Sequence, residues 1–175
     1  FDMPADCSTE DLVLDWVGGM HASGHAAFDG ASQEHVSLTT NSMQVVVADP
    51  LDGCMGGADG AAADTLTGNF ADGSMTGKIA LIRRGVCFFT TKTMNAQNAG
   101  AIGAIIYNDD RPGTVVMSGP DVGITIPSIF IEGVAGDALN AAVTADSSTT
   151  VDIHCDERRI YQICQAEDMV VDWTG

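Results

Sequence analysis

The 175-residue chain is long enough for one domain with a complete core, and its formal net charge of −17 limits the partners it can have. Only seven residues are Lys or Arg, so the basic patches that bind nucleic acid or an anionic membrane surface are not expected. No stretch approaches the roughly 18 consecutive apolar residues of a membrane-spanning helix, so we expect no membrane insertion.

The first 77 residues contain few regular patterns. Residues 11–17 have the pattern of a β-strand, whereas residues 18–30 are rich in Gly, Ala and His and show no clear period. Residues 35–48 alternate and then become rich in Val, which predicts one long strand or two short ones. Residues 49–77 are rich in Gly, Asp and Ala, which predicts a long surface loop.

Residues 77–107 are the most regular part of the sequence. Residues 78–82 predict a buried strand, residues 89–99 have helical periodicity, and residues 101–107 predict a second buried strand. A strand, a crossover helix and a strand of these lengths predict a right-handed βαβ unit with parallel strands. The later predicted elements are, in order, a turn at 108–113, strands at 115–117 and 127–131, a helix at 134–143, and strands at 149–154 and 159–164.

Local signals mark the ends and the faces of both predicted helices. Thr90 or Thr91 is suited to cap the start of the first helix, and Gly100 suits the left-handed conformation past its end. The residues expected on the inner face of the second helix are Val134, Leu139 and Val143.

Two segments near the ends of the chain are similar to each other. Residues 7–18 (CSTEDLVLDWVG) and 164–175 (CQAEDMVVDWTG) are identical at seven of twelve positions, with Trp16 and Trp173 in register. The offset of 157 residues is the size of a domain, and self-similarity at a fixed long period is typical of tandem arrays. We therefore predict that residues 164–175 begin a second copy of the unit, with both tryptophans at junctions between units. The alternative is that two similar edge strands belong to one domain.

A combination of short motifs in the central region resembles a known family. The motifs are RGxCxF at 84–89, Lys92, NAQxAGA at 95–101 and IPS at 126–128. Together they resemble the protease-associated (PA) domain, which occurs in secreted subtilisin-like proteases and in the lumenal parts of sorting receptors. The match is dense from residue 77 to residue 143 and extends back to about residue 45.

The resemblance implies an α/β fold in which a mixed, partly closed β-sheet is flanked by two main helices, with extra strands from both termini. It divides the chain into an N-terminal extension with strands that pack on the core (1–44), a PA-like domain (45–153) and C-terminal strands (154–175). PA domains are non-catalytic. They bind peptides or other domains, or they gate access to a neighbouring active site.

The resemblance also implies a binding face. In sorting receptors the loop that matches residues 84–87 lies at the peptide-binding face, which nominates Arg84, Phe88 and Lys92 for contact with a partner. The alternative is that these side chains pair with local carboxylates and cover the edge of the sheet.

The five cysteines include no CxxC pair. Together with the resemblance to a family found in secreted proteins, this favours disulfides in an oxidising compartment and hence a secreted or extracellular protein. PA relatives have a pairing similar to Cys54–Cys87, and Cys54 lies in a long loop that needs an anchor, so we predict this bond. Closing a loop of 33 residues contributes about 3–4 kcal/mol by restricting the unfolded chain. Cys155 is predicted to bond either Cys164 or Cys7.

Motifs for catalysis or metal binding are weak. The sequence has no GxSxG elbow, no HExxH helix and no phosphate-binding loop. His21 and His25 have the spacing of metal ligands only in a helix, and Gly24 between them favours a loop. Acidic residues within 49–64 and 108–110 include the ligand types that calcium prefers, but they lack the EF-hand pattern. We expect no catalytic residue and no cofactor, with a calcium site as the alternative.

Three functional hypotheses follow. The first is a structural unit of an extracellular protein, built from head-to-tail PA-like repeats or joined to copies of itself in a filament. The second is an accessory domain of a secreted protease. The third is a receptor-like domain that binds a peptide.

Overall fold

Seven strands and two helices occupy the part of the chain that the computed structural model describes, which comprises residues 12–16, 22–26, 40–54, 70–85, 87–118 and 123–155. In chain order they are β1 (Leu12–Trp16), β2 (Ala22–Ala26), β3 (Thr40–Val47), β4 (Ile79–Arg83), α1 (Phe89–Asn98), β5 (Gly103–Tyr107), β6 (Ser128–Ile131), α2 (Gly133–Ala145) and β7 (Thr150–Cys155). The strands form a closed barrel in the order β1-β2-β6-β5-β4-β3-β7.

Half of the barrel is a parallel sheet. Strands β3, β4, β5 and β6 run parallel to one another. The pairs that involve β1, β2 or β7 are all antiparallel. Helix α1 makes the crossover from β4 to β5, as the βαβ pattern predicts. The predicted mixed sheet with two main helices is confirmed. Its four parallel strands end at one edge, where Arg83 pairs with Tyr107 and Tyr107 with Ile131.

Alternate residues of the buried strands serve two cores. On β4, Ile79 and Leu81 belong to the cluster that packs with α2, whereas Ala80 and Ile82 belong to the cluster that packs with α1. This two-sided burial explains why the strand sequences are continuously apolar rather than alternating. Gly136 lets α2 approach β5 closely, because a Cβ at that position would lie 2.1 Å from Cβ of Tyr107.

Strand β1 closes the barrel. It pairs with β2 on one side and with β7 on the other, and Leu14 is buried in the core. The predicted N-terminal strand is thus confirmed, and the backbone of Trp16 pairs with Val151. The predictions for Cys7, Cys164, Trp173 and the strand at 159–164 lie outside the described residues.

Three local predictions were wrong. A strand, β2, lies within the segment that shows no period, because its pairing with β1 and β6 rather than its own sequence holds it extended. Val134 is 71% exposed, since the buried stripe of α2 runs through Ala135, Leu139 and Val143. The segment 115–117 contains one bridged residue, Met117, instead of a strand.

The ends of α1 were predicted with mixed success. The helix begins at Phe89 after an N-cap at Phe88 that makes no side-chain capping bond, so Thr90 and Thr91 lie inside the helix rather than at its cap. Gly100 follows the C-cap with a φ of 90°, the left-handed conformation that the sequence predicts. A side chain there would also meet the neighbouring turn, because a Cβ would lie 2.7 Å from Oγ1 of Thr76.

Candidate functional site

The candidate site lies where the parallel strands end. It involves the segments that follow β4, β5 and β6: residues 84–88, residues 108–113, and residues 132–137, which lead from β6 into α2. Ligand sites occur preferentially at the carboxyl ends of parallel barrel strands and in the mouths of β-barrels. The motif residues around Arg84 are therefore in a position suited to binding.

Asn108 connects the first two segments. Its side chain is buried, and its Oδ1 accepts hydrogen bonds from Nη1 of Arg84 at 3.1 Å and from the backbone N–H of Asp109 at 3.0 Å. Its Nδ2 donates to the carbonyl oxygen of Gly113 at 2.7 Å. One amide thus fixes the shape of the 108–113 turn and the position of the neighbouring arginine.

Arg84 is held on three sides. Besides the bond to Asn108, its guanidinium lies over the ring of Phe89, with 5.7 Å from Cζ to the ring centroid, and its backbone N–H donates to the carbonyl oxygen of Tyr107 at 2.7 Å. A guanidinium that lies over an aromatic ring is stabilised electrostatically. Arg84 therefore loses little conformational freedom when a ligand binds. Arg84 is half-buried, and its contact with a partner stays a prediction.

A groove opens between the second and third segments. Its volume is about 510 Å³, and its lining residues are Asp109, Asp110, Arg111, Pro112, Gly113, Glu132, Gly133, Val134 and Asp137. The lining residues thus carry four carboxylates and one guanidinium, that of Arg111. The exposed side chain of Val134 adds an apolar surface at the same place.

The carboxylates of the groove differ in their partners. Asp109 bonds to Arg111 through both oxygens, and these bonds hold the pKa of its carboxyl well below the ordinary value. Asp110 accepts from Arg83 at 3.1 Å. Glu132 and Asp137 are exposed and form no ion pair with any residue in the described ranges. These two charges remain available to a cationic ligand.

The turn at 84–88 is fastened to the loop 50–54 by the predicted disulfide. Cys54 and Cys87 are bonded, with their Cα atoms 5.7 Å apart. Phe88, next to this bond, is 51% exposed and remains a candidate for partner contact.

Lys92 is not available to a partner in this structure. Its side chain is fully buried, and its Nζ donates to the carbonyl oxygen of Asp52 and lies 3.1 Å from Sγ of Cys54. Burial lowers its pKa to about 8, and the nearby Asp52 charge opposes that change. The nomination of Lys92 is corrected: the first turns of α1 point this residue inward, where it binds the loop 50–54.

Residues of the types that bind metal ions do not cluster in the described part of the chain. No group of three or more His, Cys, Asp or Glu side chains there is arranged to hold a metal ion. His25 lies in strand β2, so the helical spacing that would bring it together with His21 does not apply. Asp109 and Asp110 each bond to an arginine.

Neither α1 nor α2 has the length and apolarity needed to cross a bilayer.

Three residues of the site were missed as site residues by the sequence analysis. Asn108 was assigned to a turn and weighed with Asp109 and Asp110 as a calcium ligand, but not as a residue that positions Arg84, although Asn side chains commonly bond to the backbone of turns. Glu132 and Asp137 carried no motif. They become part of the site because the closed barrel brings the start of α2 beside the 108–113 turn.

The sequence model of the PA domain matches residues 42–139. The chain belongs to the PA domain family. This PA chain is 36% identical over 135 residues to the receptor homology region, transmembrane domain- and RING domain-containing protein 1 of Arabidopsis thaliana; the match covers 75% of the chain and 40% of that protein. It is 34% identical over 82 residues to the minor extracellular protease Vpr of Bacillus subtilis, covering 47% of the chain and 10% of that protein.

Among solved structures, the PA chain is similar to an aminopeptidase from Aneurinibacillus sp. strain AM-1, with a TM-score of 0.53 and 27% identity. The match covers 85% of this chain and 31% of the aminopeptidase. The chain likewise spans 40% and 20% of the receptor homology region relatives from Arabidopsis thaliana and Oryza sativa. The PA fold is therefore the part that these otherwise different proteins share.

The buried amine of Lys92 makes stability depend on pH. Its pKa is about 8 in the folded state against 10.5 ordinarily, so between these values the unfolded chain binds more protons than the folded one. The free energy of unfolding therefore rises with pH through this window, by about 1.5 kcal/mol from pH 8 to pH 9.5. Burial raises the pKa of Tyr107. Its titration therefore lowers the free energy of unfolding as pH rises, but only above its ordinary pKa of 10.

Urea denaturation at several pH values measures this rise. We expect Lys92→Met to remove it and Lys78→Met, which removes the same charge at the opposite end of β4, to keep it. A rise of equal size in Lys92→Met would show that another group is responsible.

Proposed function

We propose that this PA unit is a non-catalytic, extracytoplasmic binding domain whose groove takes an extended, lysine- or arginine-containing segment of a partner protein. The observation that carries the proposal is the groove at the carboxyl ends of the parallel strands, with Glu132 and Asp137 exposed on its wall. The disulfide Cys54–Cys87 and the relatives described by a transmembrane domain or as extracellular support the extracytoplasmic location.

Charge and shape both favour such a ligand. A volume of about 510 Å³ accommodates a few side chains of an extended segment, and Val134 offers an apolar contact for the stem of a lysine or arginine. The net charge of −17 adds long-range attraction for a cationic partner. Arg83 and Arg84, which bond to Asp110 and Asn108, are expected to contact the backbone carbonyls or the acidic residues of the same segment.

Fluorescence anisotropy with three labelled nine-residue peptides tests the proposal. The peptides share the same apolar residues and carry four arginines or lysines, four glutamates, or four serines. We expect the cationic peptide to bind most tightly. Glu132→Gln and Asp137→Asn are each expected to weaken it by about two- to fivefold, because an exposed ion pair contributes about 0.2–1 kcal/mol.

Asp72→Asn is the matched control for these variants. Asp72 is an exposed acid in the turn before β4, at the opposite end of the parallel strands, so its removal changes the net charge without touching the groove. We expect this control to bind the cationic peptide like the wild type. Equal weakening by Asp72→Asn and Glu132→Gln would mean that only the overall charge attracts the peptide, and the groove would lose its assigned role.

A second candidate function is a head-to-tail array, and the repeated end segment favours it. Strand β1, LVLDW, closes the barrel between β2 and β7, and residues 169–173 repeat its pattern as MVVDW. In this hypothesis, residues 169–173 supply the β1 position of a following unit. Sedimentation over a range of concentrations tests it: the average mass is expected to rise with concentration, and a monomer throughout would remove the candidate.

A further inference from the structure

The two sulfurs of the Cys54–Cys87 disulfide have unequal surroundings. Cys54 is only 8% exposed, whereas Cys87 is half-buried and has two exposed neighbours, Gly85 and Phe88. Cys87 is therefore the more accessible residue of the pair. Access is one of the factors that decide which sulfur of a disulfide is attacked.

The sulfur of Cys54 lies in a site that stabilises negative charge. It accepts a hydrogen bond from Nζ of Lys92 at 3.1 Å and another from the backbone N–H of Cys87 at 3.2 Å. With a pKa of about 8, Lys92 is mostly protonated at neutral pH. The charged group on the loop side is Asp52, whose Oδ1 accepts a hydrogen bond from the backbone N–H of Cys54 at 3.1 Å. Its negative charge disfavours a thiolate at Cys54.

We propose that Cys87 is a site of reversible thiol exchange, at which a low-molecular-weight thiol of the glutathione type forms a mixed disulfide while Cys54 leaves as a thiolate held by Lys92. A leaving thiolate beside a cation departs faster, because the charge that develops on sulfur is stabilised. The reacting atoms are the sulfur of the incoming thiol, Sγ of Cys87 and Sγ of Cys54, and Lys92 contacts the last of these.

The exchange is balanced without a further reactant. The incoming thiol loses its proton to solvent, and its thiolate attacks Sγ of Cys87. A new S–S bond forms to Cys87, the Cys54–Cys87 bond breaks, and its electron pair moves to Sγ of Cys54. A second thiol, or Cys54 itself in the reverse step, removes the added group.

The structure indicates which side of the bond loosens. The loop 50–54 keeps its other ties to α1, since Nζ of Lys92 donates to the carbonyl of Asp52 and Nδ2 of Asn95 donates to the carbonyl of Gly53 at 2.8 Å. Cys87 has no comparable anchor among the hydrogen bonds of the described residues other than its bond to Cys54. Exchange therefore releases Cys87 from the loop 50–54, while Arg84 keeps its bonds to Asn108 and to the carbonyl oxygen of Tyr107.

Peptide mapping after a brief exposure to excess glutathione and an acid quench locates the added group. We expect the glutathionyl mass on the peptide that contains Cys87 and a free thiol at Cys54. Glutathione mainly on Cys54, or equally on both residues, would overturn the proposal.

The rate of exchange tests the role of Lys92. We expect Lys92→Met to open the disulfide about tenfold more slowly than the wild type, because the leaving thiolate loses its cation. Lys78→Met, with the only other lysine removed, should react like the wild type. A change of less than threefold in Lys92→Met would contradict the proposal.

A thiol titration gives an independent result if Lys92→Met does not fold. In a Cys87→Ala variant, Cys54 is a free thiol beside Lys92, and the difference in absorbance at 240 nm between this variant and a variant with both Cys54→Ala and Cys87→Ala reports its thiolate. We expect a pKa below the ordinary value of about 8.5. A pKa at or above that value would show that Lys92 does not stabilise the thiolate, which overturns the assignment.

Discussion

The contact between the loop 50–54 and the first turns of α1 is the constraint on which the binding edge depends. Lys92 and Asn95 reach inward from the helix and donate to two carbonyl oxygens of the loop, and the disulfide adds a covalent link. The same loop accepts the backbone N–H of Arg83 at 2.8 Å. The end of β4 and the start of α1 are thereby fixed relative to each other, although burying the amine of Lys92 opposes its charged form.

From this fixed point, hydrogen bonds connect the other segments of the site. Asn108 links the turn after β5 to Arg84, and the start of α2 completes a groove whose free carboxylates belong to Glu132 and Asp137. Binding a segment of a partner protein is the function that we propose for this groove. A preorganised, charged groove suits that task, because little conformational freedom is lost on binding.

The sequence predicted the features whose cause is local. The βαβ unit follows from apolar runs on each side of a helical period, and the left-handed Gly100 follows from its place after the helix. Features set by distant partners were missed: β2 is extended only because it pairs with β1 and β6, and Lys92 is buried only because the loop 50–54 supplies its acceptors. The position of Glu132 beside Asp109 likewise depends on how the barrel closes, which no local pattern encodes.

Backbone NMR during titration with the cationic peptide tests the central claim most directly, because it locates binding residue by residue. The account predicts that shift changes concentrate at residues 108–113 and 132–137, with smaller changes at 84–88, and that the turn at 70–77 stays unchanged. Changes spread evenly over the acidic surface, or centred on β1 and β2, would contradict it.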